Sequence, residues 1–134
     1  PTRHALRTTD SAGSAWTVGV PELVVQALDK LLENAASFCP PGGRITVRLV
    51  PATDHWALSV SNEGPLLPAE LQEHLFDPMV SLRQSESGGV HLGLGLHIVR
   101  LIVDFHRGRV RAENLPAGDG VCVTMSFPAI NPDA

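Results

Sequence analysis

His97-Ile98-Val99-Arg100-Leu101-Ile102-Val103-Asp104-Phe105, entered directly from Gly93-Leu94-Gly95-Leu96, is the stretch on which the reading of the fold turns. Two glycines let the backbone turn tightly with no Cβ in the way, and a helix is expected to begin at once, from about Gly95. Its inner side is read as Ile98, Leu101, Ile102 and Phe105, with Gly108 as the C-terminal stop. Unpaired N–H groups at a helix start, backed by the positive end of the macrodipole, make an anion site. A glycine pair alone is a weak signal, because a loop entering a buried helix needs nothing more.

Working outward, a second helix is expected at Pro21. Proline is tolerated at the first helical position, and Glu22 suits the N-terminus. Val24, Leu28, Leu31, Leu32 and Ala35 recur at helical spacing, and Cys39-Pro40-Pro41-Gly42-Gly43 must end the helix. Ile45, Val47 and Leu49 then alternate with Arg44, Thr46 and Arg48. After the turn Pro51–Asp54, Trp56, Leu58 and Val60 alternate again, which predicts two antiparallel strands. A final hairpin pairs Val110 and Ala112 with Val121, Val123, Met125 and Phe127. Weaker strand character occupies residues 3–9 and 15–20, and residues 68–75 read as a short helix. Residues 79–90, small and polar, lack an apolar repeat and read as a mobile lid. The expected architecture is α+β: a two-layer sandwich with a mixed, mostly antiparallel sheet and its helices on one face. It forms a single domain over 1–130 with a tail at 131–134.

Composition excludes several function classes. The chain has 134 residues, 43% hydrophobic and 18% charged, which suits one soluble globular domain with one core. A net charge of -4 speaks against a nucleic-acid partner or a membrane surface, either of which selects a basic stripe. No apolar run approaches the roughly 20 residues that span a bilayer, and no signal peptide opens the chain. Because it begins at Pro1 rather than Met, the chain is expected to be a piece of a longer protein. Cys39 and Cys122 fit neither a metal spacing nor a disulfide framework and read as free thiols in a reducing compartment.

Two further motifs bear on chemistry. Lys30, Asn34 and Phe38, at i, i+4 and i+8, form one stripe beside the apolar face of the first helix. A solvated helix face would look the same. However, asparagine is a poor interior helix residue unless its amide has a task, and Lys30 is the only lysine in the chain. An ammonium, a neutral oxygen ligand and an aromatic ring in a row suit a phosphate, a Mg²⁺ ion and a base or ribose. Mg²⁺ typically takes one or two protein ligands plus phosphate oxygens, so one asparagine can suffice. In the second motif, Asn62-Glu63-Gly64-Pro65, Asn62 shares the parity of Trp56, Leu58 and Val60 and should face the helices. There its amide must be hydrogen-bonded, either to an adenine edge or to the turn that follows.

Taken together, these motifs resemble the ATP-binding catalytic domain of sensor histidine kinases, a branch of the ATPase superfamily shared with gyrase, MutL and a heat-shock chaperone. The resemblance runs from about Gly19 to Phe127. Val20–Leu23 through Asn34–Pro40 is similar to the N box of that family, and Ser61–Pro65 to its first glycine box. Leu75–Met79 is similar to its F box, and His91-Leu92-Gly93-Leu94-Gly95-Leu96 to its second glycine box. The resemblance implies a Bergerat-type fold that binds ATP and Mg²⁺ and donates the γ-phosphoryl group to a histidine on a separate dimerisation helical domain of the same kinase. From there the group passes to an aspartate of a response regulator.

The resemblance also implies roles for individual residues. Asn34 would hold Mg²⁺ and Lys30 would neutralise phosphate charge, the two being the catalytic pair. The amides around Gly93 to Leu96 would cradle the phosphates, Asn62 would read adenine, and Phe38 would line the base or ribose. Gly64, Leu67, Phe76, His91, Leu92 and Leu94 would also contact the nucleotide. Arg83 would close with the lid. A cytoplasmic domain without direct membrane contact is implied, whether or not the parent is an inner-membrane sensor.

The chain departs from the family pattern at several places. Asn62 and Leu66 replace the usual aspartate and second glycine, and His91 stands where glycine often does. Lys30 occupies a position often held by asparagine or histidine, and Ser37 one often held by lysine, which moves the basic group by two turns. His4-Ala5-Leu6-Arg7 lacks the acidic residue and proline of a phosphoacceptor box. His55, His74, His97 and His106 read as surface or satisfied residues rather than ligands. Two rivals stand beside the kinase reading. One is a degenerate nucleotide-binding scaffold. The other is an ATP hydrolase of the gyrase and MutL branch, which places a glutamate base one turn before the magnesium asparagine. Here that position is Lys30, which cannot serve as the base while protonated, and Glu33 lies about 100° around the helix from Asn34.

Overall fold

Alternating strands pair over their full length to build the platform. The computed structural model describes residues 5–10, 19–52, 54–72, 74–77 and 95–129, with β1 described by its backbone alone. Five strands, β1 (Ala5–Asp10), β2 (Arg44–Pro51), β3 (His55–Glu63), β4 (Arg109–Asn114) and β5 (Gly120–Pro128), form one sheet in the order β1-β2-β3-β5-β4. β1 runs parallel to β2, and the other three pairings are antiparallel, giving the mixed, mostly antiparallel sheet expected. Opposite residues across the central pair put Trp56 beside Phe127, Val60 beside Val123 and Asn62 beside Val121, so these side chains share one face. The rings of Trp56 and Phe127 lie 4.8 Å apart at 31°.

The helices cover that face. α1 (Pro21–Phe38) starts with Pro at its first turn, carries Glu22 there, and ends as Cys39 donates its N–H to the Ala35 carbonyl. Ala27, Leu31 and Ala35 are its buried residues, while Val24, Leu28 and Leu32 are partly buried around them. Truncating Leu31, 2% exposed, to alanine should cost about 2–5 kcal/mol. Gly19 and Val20 are not in a strand, contrary to the expectation for residues 15–20. Val20 is the N-cap of α1, and residues 15–18 lie outside the described residues. α2 (Ala69–Gln72) is shorter than the 68–75 expected. Beyond it the bonds from His74 N–H to the Leu71 carbonyl and from Asp77 N–H to the His74 carbonyl span three residues rather than four. Asp77 also precedes a proline, which disfavours helical backbone.

The last helix, α3 (Leu96–Phe105), corrects the sequence reading. It buries Leu96, Val99, Ile102 and Val103 and leaves Ile98, Leu101 and Phe105 exposed, by 39%, 55% and 66%. Only Ile102 of the expected inner stripe faces the core. Seven of its ten residues are apolar, so periodicity admits two faces, and packing against α1 and the sheet chose between them. The stop is also different. Arg107 takes the left-handed conformation at φ 61°, whereas Gly108 is required because a Cβ there would collide with the Ser126 carbonyl of β5. His106 ties the two long helices together. Its Nε2 accepts the Val20 N–H at 3.0 Å, and its Nδ1 contacts the Ile102 carbonyl at 2.7 Å. Among the described residues, no helix is long and apolar enough to cross a membrane.

Candidate nucleotide site

The last two turns of α1, the end of β3 and the segment after it converge on a cavity of about 240 Å³ lined mainly by apolar side chains. Asn34 and Phe38 enter from α1, Asn62 from β3, and Val121 and Val123 from β5. Leu67, Leu71 and Leu75 form the opposite wall. Gly64 makes the approach possible: at φ 146°, a Cβ there would lie 2.5 Å from the Phe38 carbonyl. β3 therefore ends against α1, and Asn62 stands beside Phe38.

Asn62 is 5% exposed and has the parity its position predicts. Its Nδ2 donates to the Glu63 carbonyl at 3.0 Å. A carbonyl only accepts, so this contact fixes the amide orientation and leaves Oδ1 as the acceptor available to the cavity. The Asn34 side chain has no hydrogen-bond partner among the described residues, and it is partly exposed beside the same cavity.

One turn earlier on α1, Lys30 meets the start of α3. Gly95 caps α3 in the left-handed region at φ 88°, and the Lys30 stem packs so closely that a Gly95 Cβ would lie 2.9 Å from Lys30 Cδ. Lys30 is not on the cavity wall. Its Nζ is 3.9 Å from Glu33 Oε2, and the Glu33 side chain is 71% exposed. Leu96 is fully buried in the core, so only its backbone is left for a ligand. Phe76 is also buried in the core and borders a separate groove with Gln72 and Arg100, while its neighbour Leu75 lines the cavity. Arg83 and His91 to Leu94 lie outside the described residues, as does the expected lid at 79–90.

Asn114 escaped the sequence reading. Its Oδ1 accepts the Leu67 N–H at 2.7 Å and its Nδ2 donates to the Leu67 carbonyl at 3.0 Å, clamping the wall segment from 47 residues away. A polar residue with the inward parity of Val110 and Ala112 was its only signal. The histidines divide. His55 pairs with Asp54 at 2.8 Å, His74 with Asp77 at 3.0 Å, and buried His106 is bonded through both nitrogens. The Nδ1 of His97 is buried without a partner among the described residues. Both cysteines are free, and burial pushes the Cys39 thiol above its ordinary range, with Glu63 adding to the effect.

The profile of the histidine kinase-, DNA gyrase B- and HSP90-like ATPases matches residues 19–131. The chain belongs to this family. Among curated relatives, it is 38% identical over 104 residues to the adaptive-response sensory kinase SasA of Synechococcus sp. (strain CC9311), covering 77% of this chain and 27% of SasA. Among solved structures, it superposes on the mycobacterial sensor histidine kinase MprB with a TM-score of 0.80 at 25% identity, covering 94% of this chain and 82% of that one. It also superposes on the histidine kinase ThkA in complex with the response regulator protein TrrA, with a TM-score of 0.77 at 25% identity, covering 95% of this chain and 34% of that one. The chain is thus a histidine-kinase-type ATPase domain spanning about a quarter of the sensory kinase it matches, and the expected α+β fold is the one its solved relatives share.

Proposed function

We propose that this domain binds Mg·ATP and presents the γ-phosphoryl group to a histidine on a separate dimerisation helical domain of the same kinase, for relay to a response regulator aspartate. The convergence of Asn34, Phe38 and Asn62 on one cavity, with Lys30 and Gly95 at its neighbouring end, is the observation that carries this reading. Asn62 Oδ1 accepts from the adenine 6-amino group, and Phe38, Gly64 and Leu67 bound the base. Asn34 offers a neutral oxygen ligand to Mg²⁺, which when bound neutralises phosphate charge. Lys30 supplies a second positive charge beside the α3 N-terminus, whose free amides, with those from His91 onward, receive phosphate oxygens. Arg83 closes over the triphosphate. Positioning and charge neutralisation suffice for phosphoryl transfer, so no side chain here acts as a general base.

The hydrolase alternative is weakened at two points. The residue one turn before Asn34 is Lys30, and Glu33 points to solvent. The exposed stripe Ile98, Leu101 and Phe105 suits docking of a helical partner. The ThkA–TrrA pairing in a homologous kinase supports a response regulator as the next acceptor. The cytoplasm, which supplies the nucleotide, is the compartment this reading requires. The test is incubation with radiolabelled ATP, alone and with the parent's helical domain added in trans. Label should appear on the helical domain only when both parts are present. Nucleotide binding without transfer would favour the scaffold alternative, and stable label on this chain alone would overturn the reading.

A further inference from the structure

Charge is segregated between the two layers. β2 to β5 carry Arg44, Arg48, Arg109 and Arg111 against Glu63 and Glu113, while the three helices carry five carboxylates against Lys30 and Arg100. The positive side of a chain with net charge -4 is therefore its sheet. These four arginines divide equally between β2 and β4, and β4 stands at the end of the sheet and pairs only with β5 among the described residues. Two grooves flank its exposed residues. One, about 370 Å³, lies toward the helices between the strand and Phe76, Gln72 and Arg100. The other, about 350 Å³, lies on the outer face over Ala57, Thr124 and Ser126. Arg109 and Arg111 border both grooves. Arg109 has no carboxylate partner among the described residues, and Arg111 has only Glu113, at 3.7 Å.

We infer that the β4 edge is a docking site for an acidic, extended polypeptide segment, which adds to the sheet as a sixth strand. Ladder hydrogen bonds from the edge would hold its backbone, and alternate side chains would read the two faces. Arg109 and Arg111 are about 7 Å apart along the strand, the spacing of alternate residues in an added strand, so they would meet carboxylates at i and i+2. The residue between would turn inward over Val110 and Phe76, which selects an apolar side chain. The recognised pattern is acidic–apolar–acidic. On the inner side Asp104 lines the groove and Arg100 is shared between Asp77 at 3.4 Å and Asp104 at 3.8 Å, so the charge that selects carboxylates is that of Arg109 and Arg111. A strand fits better than a nucleic acid, because the outer face of β3 to β5 has no Phe, Tyr or Trp on which a base could stack. Edge arginines can also serve to repel other strands, and the experiment separates the two roles.

The probe is the capped peptide Glu-Val-Glu-Val-Glu, titrated into the ¹⁵N-labelled domain and followed by amide shifts at low and high salt. Shifts should centre on residues 109–113 and weaken with salt. The double substitution Arg109→Ala and Arg111→Ala should lower affinity about tenfold, as should replacing the peptide's glutamates with lysines. Arg44→Ala, at the far side of the sheet, should leave binding unchanged. The arginines are exposed, so the variants should fold, and circular dichroism checks this. Three outcomes would each overturn the proposal: wild-type affinity in the double variant, equal binding of a peptide N-methylated at alternate residues, or stronger binding of a single-stranded oligonucleotide at the same residues.

Discussion

Replacing Asn62 tests the proposed base recognition most directly. Its Nδ2 is held by the Glu63 carbonyl at 3.0 Å, so Oδ1 is the atom offered to a base. Adenine presents an amino group there, whereas guanine presents a carbonyl. Turning the amide over to donate to guanine would set Oδ1 against the Glu63 carbonyl, acceptor against acceptor. Guanine thus leaves one buried pair unmade whichever way the amide turns. Such a mispairing costs about 1–3 kcal/mol, or about one to two decades of affinity. Asn62→Leu should weaken ATP binding and remove the preference over GTP. Asn62→Asp should keep or improve ATP affinity, because a carboxylate accepts more strongly. It should also destabilise the empty domain, because it gives up the donor to Glu63 and puts a charge at a 5% exposed position. Competition titrations of ATP against GTP on the three proteins, with denaturant melts of the empty forms, measure both effects. Equal affinity of the wild type for ATP and GTP would refute the assignment of Asn62 to the base.

Four further outcomes follow from particular contacts. Asn34→Ala should abolish the Mg²⁺-dependent part of nucleotide affinity in a folded protein, measured by calorimetry with and without the metal, since its side chain holds no described residue in place. Phe105→Asp, on the 66% exposed end of α3, should reduce phosphoryl transfer to the helical domain in trans while nucleotide affinity stays at the wild-type level. Arg107→Gly removes about 1–2 kcal/mol of left-handed strain at φ 61° and returns about 0.4–1 kcal/mol of unfolded-chain entropy, so urea denaturation should show a net gain of up to about 1.6 kcal/mol. Because burial raises the Cys39 thiol, its thiolate is scarce until the pH passes the ordinary thiol range. Alkylation at mild alkaline pH, followed by mass spectrometry, should therefore mark the half-exposed Cys122 well before Cys39.

Much of this molecule was legible because short-range rules act without competition in several segments. Strict alternation in β3 put Asn62 on the same face as Trp56 and Val60, and the period of two leaves no other choice. Pro21 and the Cys39-Pro40-Pro41 stop bound α1 at both ends for covalent reasons. That Asn34 and Asn62 meet at one cavity was expected only through family resemblance, since nothing local says that residues 28 positions apart meet.

Where local signals were degenerate or silent, tertiary packing decided. α3 is apolar on both sides of the single polar stripe His97, Arg100 and Asp104, so its own sequence could not say whether Val99 or Leu101 goes inside. The shape of α1 and the sheet beneath it settled that, and left an exposed stripe. Leu75 and Phe76 are equally apolar neighbours and both lie in the core, yet Leu75 lines the cavity and Phe76 borders the groove beside Arg100. The clamp of Asn114 on Leu67, and that of His106 on Val20, join residues 47 and 86 positions apart. A hydrogen bond of that range depends on the whole fold bringing its two ends together. Periodicity and covalent limits thus reach as far as elements and their faces, while the meeting of distant side chains belongs to the packed structure alone.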